Sequence, residues 1–65
     1  MEILLGQIRI SKGVTLVELE RRTGISKSTL NNYENGKTVP DLFKLEKIAI
    51  ALDVKITELF ESEWK

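Results

Sequence analysis

Helix-start and helix-stop residues recur along this chain and divide it into short segments. Thr15 and Glu18 stand at the spacing of a capping box, in which a hydroxyl caps the third helical amide and the glutamate bonds back. Gly24 can supply a left-handed residue that ends this helix, and Ser26 is a good cap for the next one. Gly36 can end that second helix in the same way. Two short helices joined by a tight turn are therefore expected here.

Apolar periodicity extends this interpretation to the rest of the chain. After Asp41, which can cap a helix, a long apolar stripe follows at helical spacing: Leu42, Leu45, Ile48, Ala49 and Leu52. No segment alternates in polarity for long enough to predict a strand. We therefore predict an all-α, compact five-helix bundle that forms a single domain over residues 1–65. The predicted helices cover about residues 2–11, 16–23, 27–35, 42–52 and 56–61, with a short tail at residues 62–65.

Composition excludes several classes of function. The chain has 65 residues with no Cys and no His, which excludes disulfides, Cys/His zinc sites and His-based triads. We therefore predict no catalytic residue, no metal site, no cofactor and no evident small-molecule ligand, and we do not expect an enzyme. No segment resembles a membrane span or a signal peptide, so a cytoplasmic protein with no membrane partner is expected.

The predicted helix at residues 27–35 has two sides of different chemistry. Leu30, Tyr33 and Glu34 fall on one side. The other side and its flanks carry short amides and hydroxyls with one lysine: Lys27, Ser28, Asn31, Asn32 and Asn35. Asn is a poor helix former, so two consecutive Asn residues lower helix stability and suggest a functional reason for their presence. An ordinary solvated face is the alternative interpretation.

A specific set of motifs surrounds this helix. Gly24–Ser26 (Gly-Ile-Ser) is followed at a fixed separation by Glu34–Gly36 (Glu-Asn-Gly) and then by Pro40, and similar residues continue to Glu58–Phe60 (Glu-Leu-Phe). From about residue 5 to residue 60 the chain thus resembles the lambda-repressor-like (Cro/XRE-type) helix-turn-helix family. The resemblance implies a five-helix bundle whose third helix enters the major groove of DNA.

The resemblance also implies roles for individual residues. The implied base-contacting residues are Lys27, Ser28, Thr29 and Asn32. The implied phosphate-contacting residues are Thr15, Asn31, Asn35, Lys37 and Thr38. These residue types suit the roles, because Asn can bind adenine and Lys can bind guanine in the major groove, while helix starts and loop amides donate to phosphates. A structural ion pair between Arg9 and Glu34 is implied as well.

Two residues depart from the usual family pattern. Leu16 stands where a Gln usually contacts a phosphate. With a formal net charge of zero, this predicts weak and salt-sensitive DNA binding by a monomer. Glu20 stands where a small Ala usually touches the third helix. We therefore expect either a slightly wider spacing of the second and third helices or a Glu20 side chain turned toward solvent or Arg21.

The C-terminal half carries more apolar residues than a core of this size needs. Phe43 and Ile50 lie on a different side of the fourth predicted helix from its core stripe, and Phe60 and Trp64 follow near the end of the chain. We expect these four residues to form a contact surface, for a homodimer or for another protein. In the alternative interpretation, Trp64 folds back onto Phe60 or Phe43 and completes the core.

Two hypotheses of function follow. The first is a sequence-specific, double-stranded DNA-binding transcriptional regulator of the repressor type, with residues 27–35 as the recognition helix and a dimer spanning two half-sites. The alternative is a protein–protein interaction module that keeps the helix-turn-helix scaffold but binds DNA weakly or not at all. Zero net charge, Leu16 and the apolar surface favour the alternative.

Overall fold

Four α-helices and one two-stranded sheet make up the protein. The computed structural model describes all residues, Met1–Lys65. In chain order the elements are β1 (Glu2–Ile3), α1 (Leu5–Ser11), α2 (Leu16–Thr23), α3 (Lys27–Glu34), α4 (Leu42–Leu52), a 3-10 turn (Ile56–Leu59) and β2 (Phe60–Glu61). β1 pairs antiparallel with β2, so the two ends of the chain lie side by side.

Side-chain caps begin three of the four helices. Thr15, Ser26 and Asp41 each accept a hydrogen bond from the amide three residues further on, at 3.1, 3.2 and 2.8 Å. Gly24 ends α2 with a φ of 75°, a left-handed conformation that glycine adopts without steric cost. Because these signals are local, α2, α3 and α4 begin at the residues that follow the predicted caps.

One apolar cluster holds the elements together. It contains eleven buried residues, five of which are almost completely inaccessible: Leu5, Leu19, Leu30, Ile48 and Leu59. Each α-helix and the 3-10 turn supply one of these five side chains. Burying a side chain of this size stabilises a fold by about 1.5–3 kcal/mol, so the cluster sets the relative placement of the helices.

The predicted all-α, five-helix bundle is wrong at the N-terminal end. The first helix begins at Leu5, and Glu2–Ile3 form the short strand β1 instead of a first helical turn. Ile3 lies opposite Phe60 in the sheet, and the amide of Leu4 donates to the carbonyl of Leu59 at 2.8 Å. These hydrogen bonds and the strand pairing with the far end of the chain satisfy the backbone that a helix at residues 2–4 would otherwise use, so α1 begins only after Leu4, without a side-chain cap.

The same prediction is wrong at the C-terminal end. The expected fifth helix is a 3-10 turn of four residues followed by β2. Its first flanking residue, Lys55, offers no side-chain acceptor, and the Glu58 carboxylate accepts from the Lys55 amide at 2.7 Å. Phe60 is extended, with φ of −150° and ψ of 159°. A segment this short gains little as an isolated helix, so pairing with β1 decides its conformation.

Candidate nucleic-acid interface

The outer side of α3 stands free of the rest of the chain. Lys27, Ser28 and Asn31 are exposed and Asn32 is half-buried, whereas Leu30 on the inner side is fully buried. The side-chain hydrogen bonds of α3 lie at its N-terminus, and none involves the amide groups of the two asparagines. Donors and acceptors on this side therefore point to solvent without an intramolecular partner.

The four residues predicted to contact bases fall into two groups. Thr29 is half-buried, and its hydroxyl accepts from the Ser26 hydroxyl at 2.8 Å. Thr29 is thus held by the cap of α3. The cap holds none of the other three side chains, those of Lys27, Ser28 and Asn32. The one contact among them is a long Ser26–Ser28 hydroxyl contact of 3.4 Å. The three less constrained side chains are the ones that can adjust to a ligand.

The residues predicted to contact phosphates are spread over three places. Asn31 lies on α3, and the Thr15 hydroxyl caps α2. Asn35, Lys37 and Thr38 are exposed in the turn after α3. This turn is held by hydrogen bonds back to α3, including the Lys37 amide donating to the Asn32 carbonyl at 2.9 Å. The Lys37 ammonium forms no ion pair, so it is free to pair with an external anion.

Arg9 of α1 and Glu34 of α3 lie together at the edge of the core. Arg9 Nε donates to Glu34 Oε2 at 2.6 Å and Arg9 Nη2 donates to Glu34 Oε1 at 3.0 Å, while Nη1 donates to the Val14 carbonyl at 2.9 Å. The side chains are 15% and 12% exposed. The hydrogen bond to Glu34 raises the pKa of Arg9, although burial acts in the opposite direction. The two hydrogen bonds between the guanidinium and the carboxylate hold the end of α3 against α1.

Gly6 makes the close approach of Glu34 possible, a role that the sequence did not reveal. A Cβ atom built at Gly6 would lie 3.1 Å from Glu34 Oε1, closer than ordinary van der Waals contact. A larger residue here would make the Glu34 carboxylate shift by a few tenths of an ångström, so glycine favours the close fit of the carboxylate against α1. No local signal identifies this role, because the two residues are far apart along the chain.

A second ionic cluster lies on the outer surface of α2. The Glu18 carboxylate accepts from Arg21 Nε at 3.1 Å and from Arg22 Nε at 2.8 Å. Hydrogen bonds from Arg21 and then Arg22 lower the pKa of Glu18 to about 2, and the bond to Glu18 raises the pKa of Arg21. Arg22 also donates to the Ala51 carbonyl at 3.0 Å. Both guanidinium groups are therefore engaged within the chain.

Glu20 makes a contact that was not expected. It is half-buried, and its Oε2 accepts a hydrogen bond from the backbone amide of Lys27 at 2.9 Å. Its carboxylate therefore bonds to α3, while the neighbouring Arg21 pairs with Glu18. The departure of Glu20 from the family pattern is the only sequence signal that could have drawn attention to this position.

The apolar residues outside the core remain on the surface. Phe43 is 80% exposed, Ile50 74% and Trp64 92%. Phe60 is half-buried, with the Lys65 ammonium 5.5 Å from its ring centroid. Trp64 does not complete the core, because almost its whole side chain is accessible to solvent. Val39 and Leu42 are exposed apolar residues as well.

No group of three or more His, Cys, Asp or Glu side chains is arranged so that it could hold a metal ion. None of the helices combines the length and the hydrophobicity that crossing a membrane requires.

The chain matches a family model and curated proteins. The Helix-turn-helix family model matches residues 5–59. The HTH-type transcriptional regulator SlrR of Bacillus subtilis is 39% identical over 56 residues, which are 85% of this chain and 37% of SlrR. The regulator SinR of the same organism is 38% identical over 58 residues, which are 88% of this chain and 52% of SinR. The chain thus spans about half, or less, of the length of these relatives.

Solved structures show the same fold. The restriction-modification controller protein C.AhdI from Aeromonas hydrophila has a TM-score of 0.81 and 32% identity, over 86% of this chain and 85% of that chain. The master regulator for biofilm formation SinR, in complex with DNA, has a TM-score of 0.80 and 34% identity, over 88% and 92%. Together with the family match, these similarities confirm the resemblance seen in the motifs: the chain belongs to the lambda-repressor-like (Cro/XRE-type) helix-turn-helix family.

Proposed function

We propose that this chain is a sequence-specific, double-stranded DNA-binding transcriptional regulator of the repressor type, with α3 as the recognition helix in the major groove. The observation that supports it most is the polar outer side of α3, where the side-chain ammonium of Lys27 and the side-chain amide of Asn32 have no intramolecular partner. Membership of the family and the similarity to DNA-bound SinR support the same function. The activity is one of binding, and repression follows from occupying the DNA.

Base reading is assigned to the N-terminal part and the middle of α3. The proposed base-contacting residues are Lys27, Ser28, Thr29 and Asn32. Asn32 can bind N6 and N7 of adenine through both atoms of its amide, and Lys27 can donate to O6 and N7 of guanine. Ser28 can donate or accept, and the methyl group of Thr29 suits contact with a thymine methyl. Asn32 is the residue with the sharpest expected preference, because its contact is bidentate.

Phosphate binding is assigned to the residues on either side of this helix. The proposed phosphate-contacting residues are Thr15, Asn31, Asn35, Lys37 and Thr38. Thr15 lies at the N-terminus of α2, where helix amides favour an anion. Lys37 supplies the positive charge in the turn after α3. Because the formal net charge of the chain is zero, these few contacts carry most of the electrostatic attraction.

The direct test is binding to a labelled pool of random-sequence DNA duplexes by electrophoretic mobility shift, followed by sequencing of the bound fraction. We expect an enriched motif and an affinity that falls steeply as the salt concentration rises, because binding to phosphates releases counterions. A matched pool of single-stranded DNA is the control. Absence of duplex binding at low salt would refute the regulator and favour the interaction module.

We further propose that a second copy of the chain binds to the apolar surface formed by Phe43, Ile50, Phe60 and Trp64. A DNA-binding dimer spans two half-sites about one helical turn apart, and a shared apolar surface provides a symmetric contact for it. The strong exposure of three of these side chains supports the proposal. Dimerisation also compensates for the weak binding expected of a monomer with no net charge.

Analytical ultracentrifugation, with and without a duplex carrying two selected half-sites, tests this surface. We expect the wild-type chain to dimerise at least on the two-site duplex, and the double variant Phe43→Ser with Ile50→Ser to bind as a monomer. Lys44→Ser with Lys47→Ser is the control, since it changes exposed residues on the same helix. Dimers of equal strength in the apolar double variant would show that another surface is used.

A further inference from the structure

Glu20 connects α2 to the start of the proposed recognition helix. Its carboxylate oxygen Oε2 accepts from the Lys27 backbone amide at 2.9 Å. Lys27 is the first residue of α3, and the first amides of an α-helix have no acceptor within that helix. Such amides are the groups that bind phosphates at many helix N-termini. In this chain, a carboxylate of α2 already occupies the first of them.

We propose that Glu20 is a positioning and specificity-determining residue for DNA binding: its carboxylate holds α3 against α2 and denies the first amide of α3 to a DNA phosphate. This rests on the proposed function, because it concerns how the chain selects among DNA sequences. It adds to that function a residue that lowers the affinity for DNA of any sequence while holding the base-reading helix in position.

The positioning role follows from where the two acceptors at this helix start are located. Ser26 accepts from the Thr29 amide at 3.2 Å, but Ser26 belongs to the turn directly before α3. Its hydrogen bond therefore fixes the first turn of α3 and not the relation of α3 to another helix. Glu20 lies on α2, so its hydrogen bond ties the first residue of α3 to a neighbouring element. A change in this contact moves the side chains that read bases.

The effect on phosphate binding follows from charge. A helix N-terminus carries about half a positive charge, which the Glu20 carboxylate offsets. No cation forms an ion pair with Glu20, since Arg21 pairs with Glu18 and the Lys27 ammonium has no ion-pair partner. The carboxylate therefore opposes the attraction of this end of α3 to phosphates of any sequence. This effect lowers the affinity for every sequence alike, whereas the preference among sequences depends on the base-reading side chains that Glu20 holds in position.

Two variants separate charge from position. Glu20→Gln keeps an oxygen that can accept from the Lys27 amide but removes the charge, whereas Glu20→Ala removes both. Glu46→Gln on α4 is the matched control, because Glu46 is exposed, forms no ion pair and gives the same change in net charge.

Two measurements compare these variants with the wild type. Fluorescence anisotropy over a salt series measures affinity for two labelled duplexes, one of the selected sequence and one of mixed sequence. Hydrogen exchange of the Lys27 amide, followed by NMR, reports the interhelical hydrogen bond without DNA.

Glu20→Gln is expected to tighten binding to both duplexes by about two- to fivefold at low salt. The gain should shrink at high salt through screening, and the ratio of the two affinities should stay the same. Glu20→Ala is expected to show faster exchange of the Lys27 amide and a ratio of selected to mixed affinity lower by about two- to tenfold. Glu46→Gln should change neither the ratio nor the exchange.

Several results would overturn the proposal. A gain in Glu20→Gln no larger than in Glu46→Gln would show that the position of the charge does not matter. Unchanged Lys27 exchange in Glu20→Ala would remove the positioning role. If the wild-type chain bound no duplex but Glu20→Gln did, the role of Glu20 would hold and the proposed function of the native chain would fail. If neither bound, both proposals would fail. Glu20→Gln keeps the acceptor and supplies the test of charge if Glu20→Ala does not fold.

Discussion

The outer sides of α3 and α4 differ in chemistry although their inner sides both pack into the same core. Leu30 of α3 and Ile48 of α4 are both fully buried in the common core. Outside, α3 presents Asn31 with other polar groups, whereas α4 presents Phe43 and Ile50. Core packing requires only the inner sides, so it leaves the composition of the outer sides free. Those outer sides are therefore where the two proposed partners, DNA and a second copy, are recognised.

The largest expected effect separates inner from outer sides. Leu30→Ala should lower the free energy of unfolding by about 2–5 kcal/mol, because it leaves a cavity in the core. Ile50→Ala should change it by no more than about 0.5 kcal/mol, since the side chain is 74% exposed. Urea denaturation followed by circular dichroism, at low protein concentration, measures both. Equal losses would mean that the outer side of α4 is packed within the monomer.

The second prediction concerns Glu34, the one charged residue on the inner side of α3. Arg9→Met should destabilise the fold by about 2–4 kcal/mol, because it leaves a largely buried carboxylate without its partner. The double variant Arg9→Met with Glu34→Leu should be less destabilised than Arg9→Met alone. Urea denaturation of both variants and of the exposed control Lys12→Met measures the difference. A larger loss of stability in the double variant than in Arg9→Met would show that the penalty does not come from leaving the Glu34 charge without its partner.

The third prediction tests the polar outer side of α3. Asn32→Ala should weaken binding to the selected sequence by about 1–3 kcal/mol and relax the preference at one base pair. Lys37→Ala should weaken binding to all sequences about equally and reduce the salt dependence, because it removes a phosphate contact. Anisotropy with single-base-pair variants of the selected duplex distinguishes the two patterns. An unchanged preference in Asn32→Ala would contradict its assignment to base reading.

The smallest expected effect lies on α2, whose ionic cluster links it to α4. Arg21 and Arg22 lower the pKa of Glu18 from 4.5 to about 2. A lowered pKa means that this stabilisation is present above the ordinary value and is lost as the pH falls toward 2. Urea denaturation at a series of acidic pH values should show a flatter pH dependence for Glu18→Gln than for the wild type. Because the cluster is exposed, the two pH dependences should differ only slightly. A large difference between the wild type and Glu18→Gln would contradict the assignment of the cluster to the surface.

Some of this protein was determined by sequence alone, because the responsible interactions join near neighbours. The caps at Thr15, Ser26 and Asp41 each act over three residues and begin α2, α3 and α4. The spacing of Leu30 and Tyr33 likewise predicts which side of α3 is buried, since helical periodicity is a local property. The polar composition of the other side of α3 could be read directly from the same spacing.

Only the tertiary structure decided the features that join distant segments. Ile3 becomes a strand residue because Phe60 lies opposite it, and neither segment has a cap or a length that specifies its own conformation. Glycine at position 6 favours the close fit of Glu34 because the carboxylate packs against it, and Glu20 reaches α3 because the turn folds α2 beside it. Such contacts depend on which surfaces the core brings together, and no periodicity or spacing within one segment contains that information.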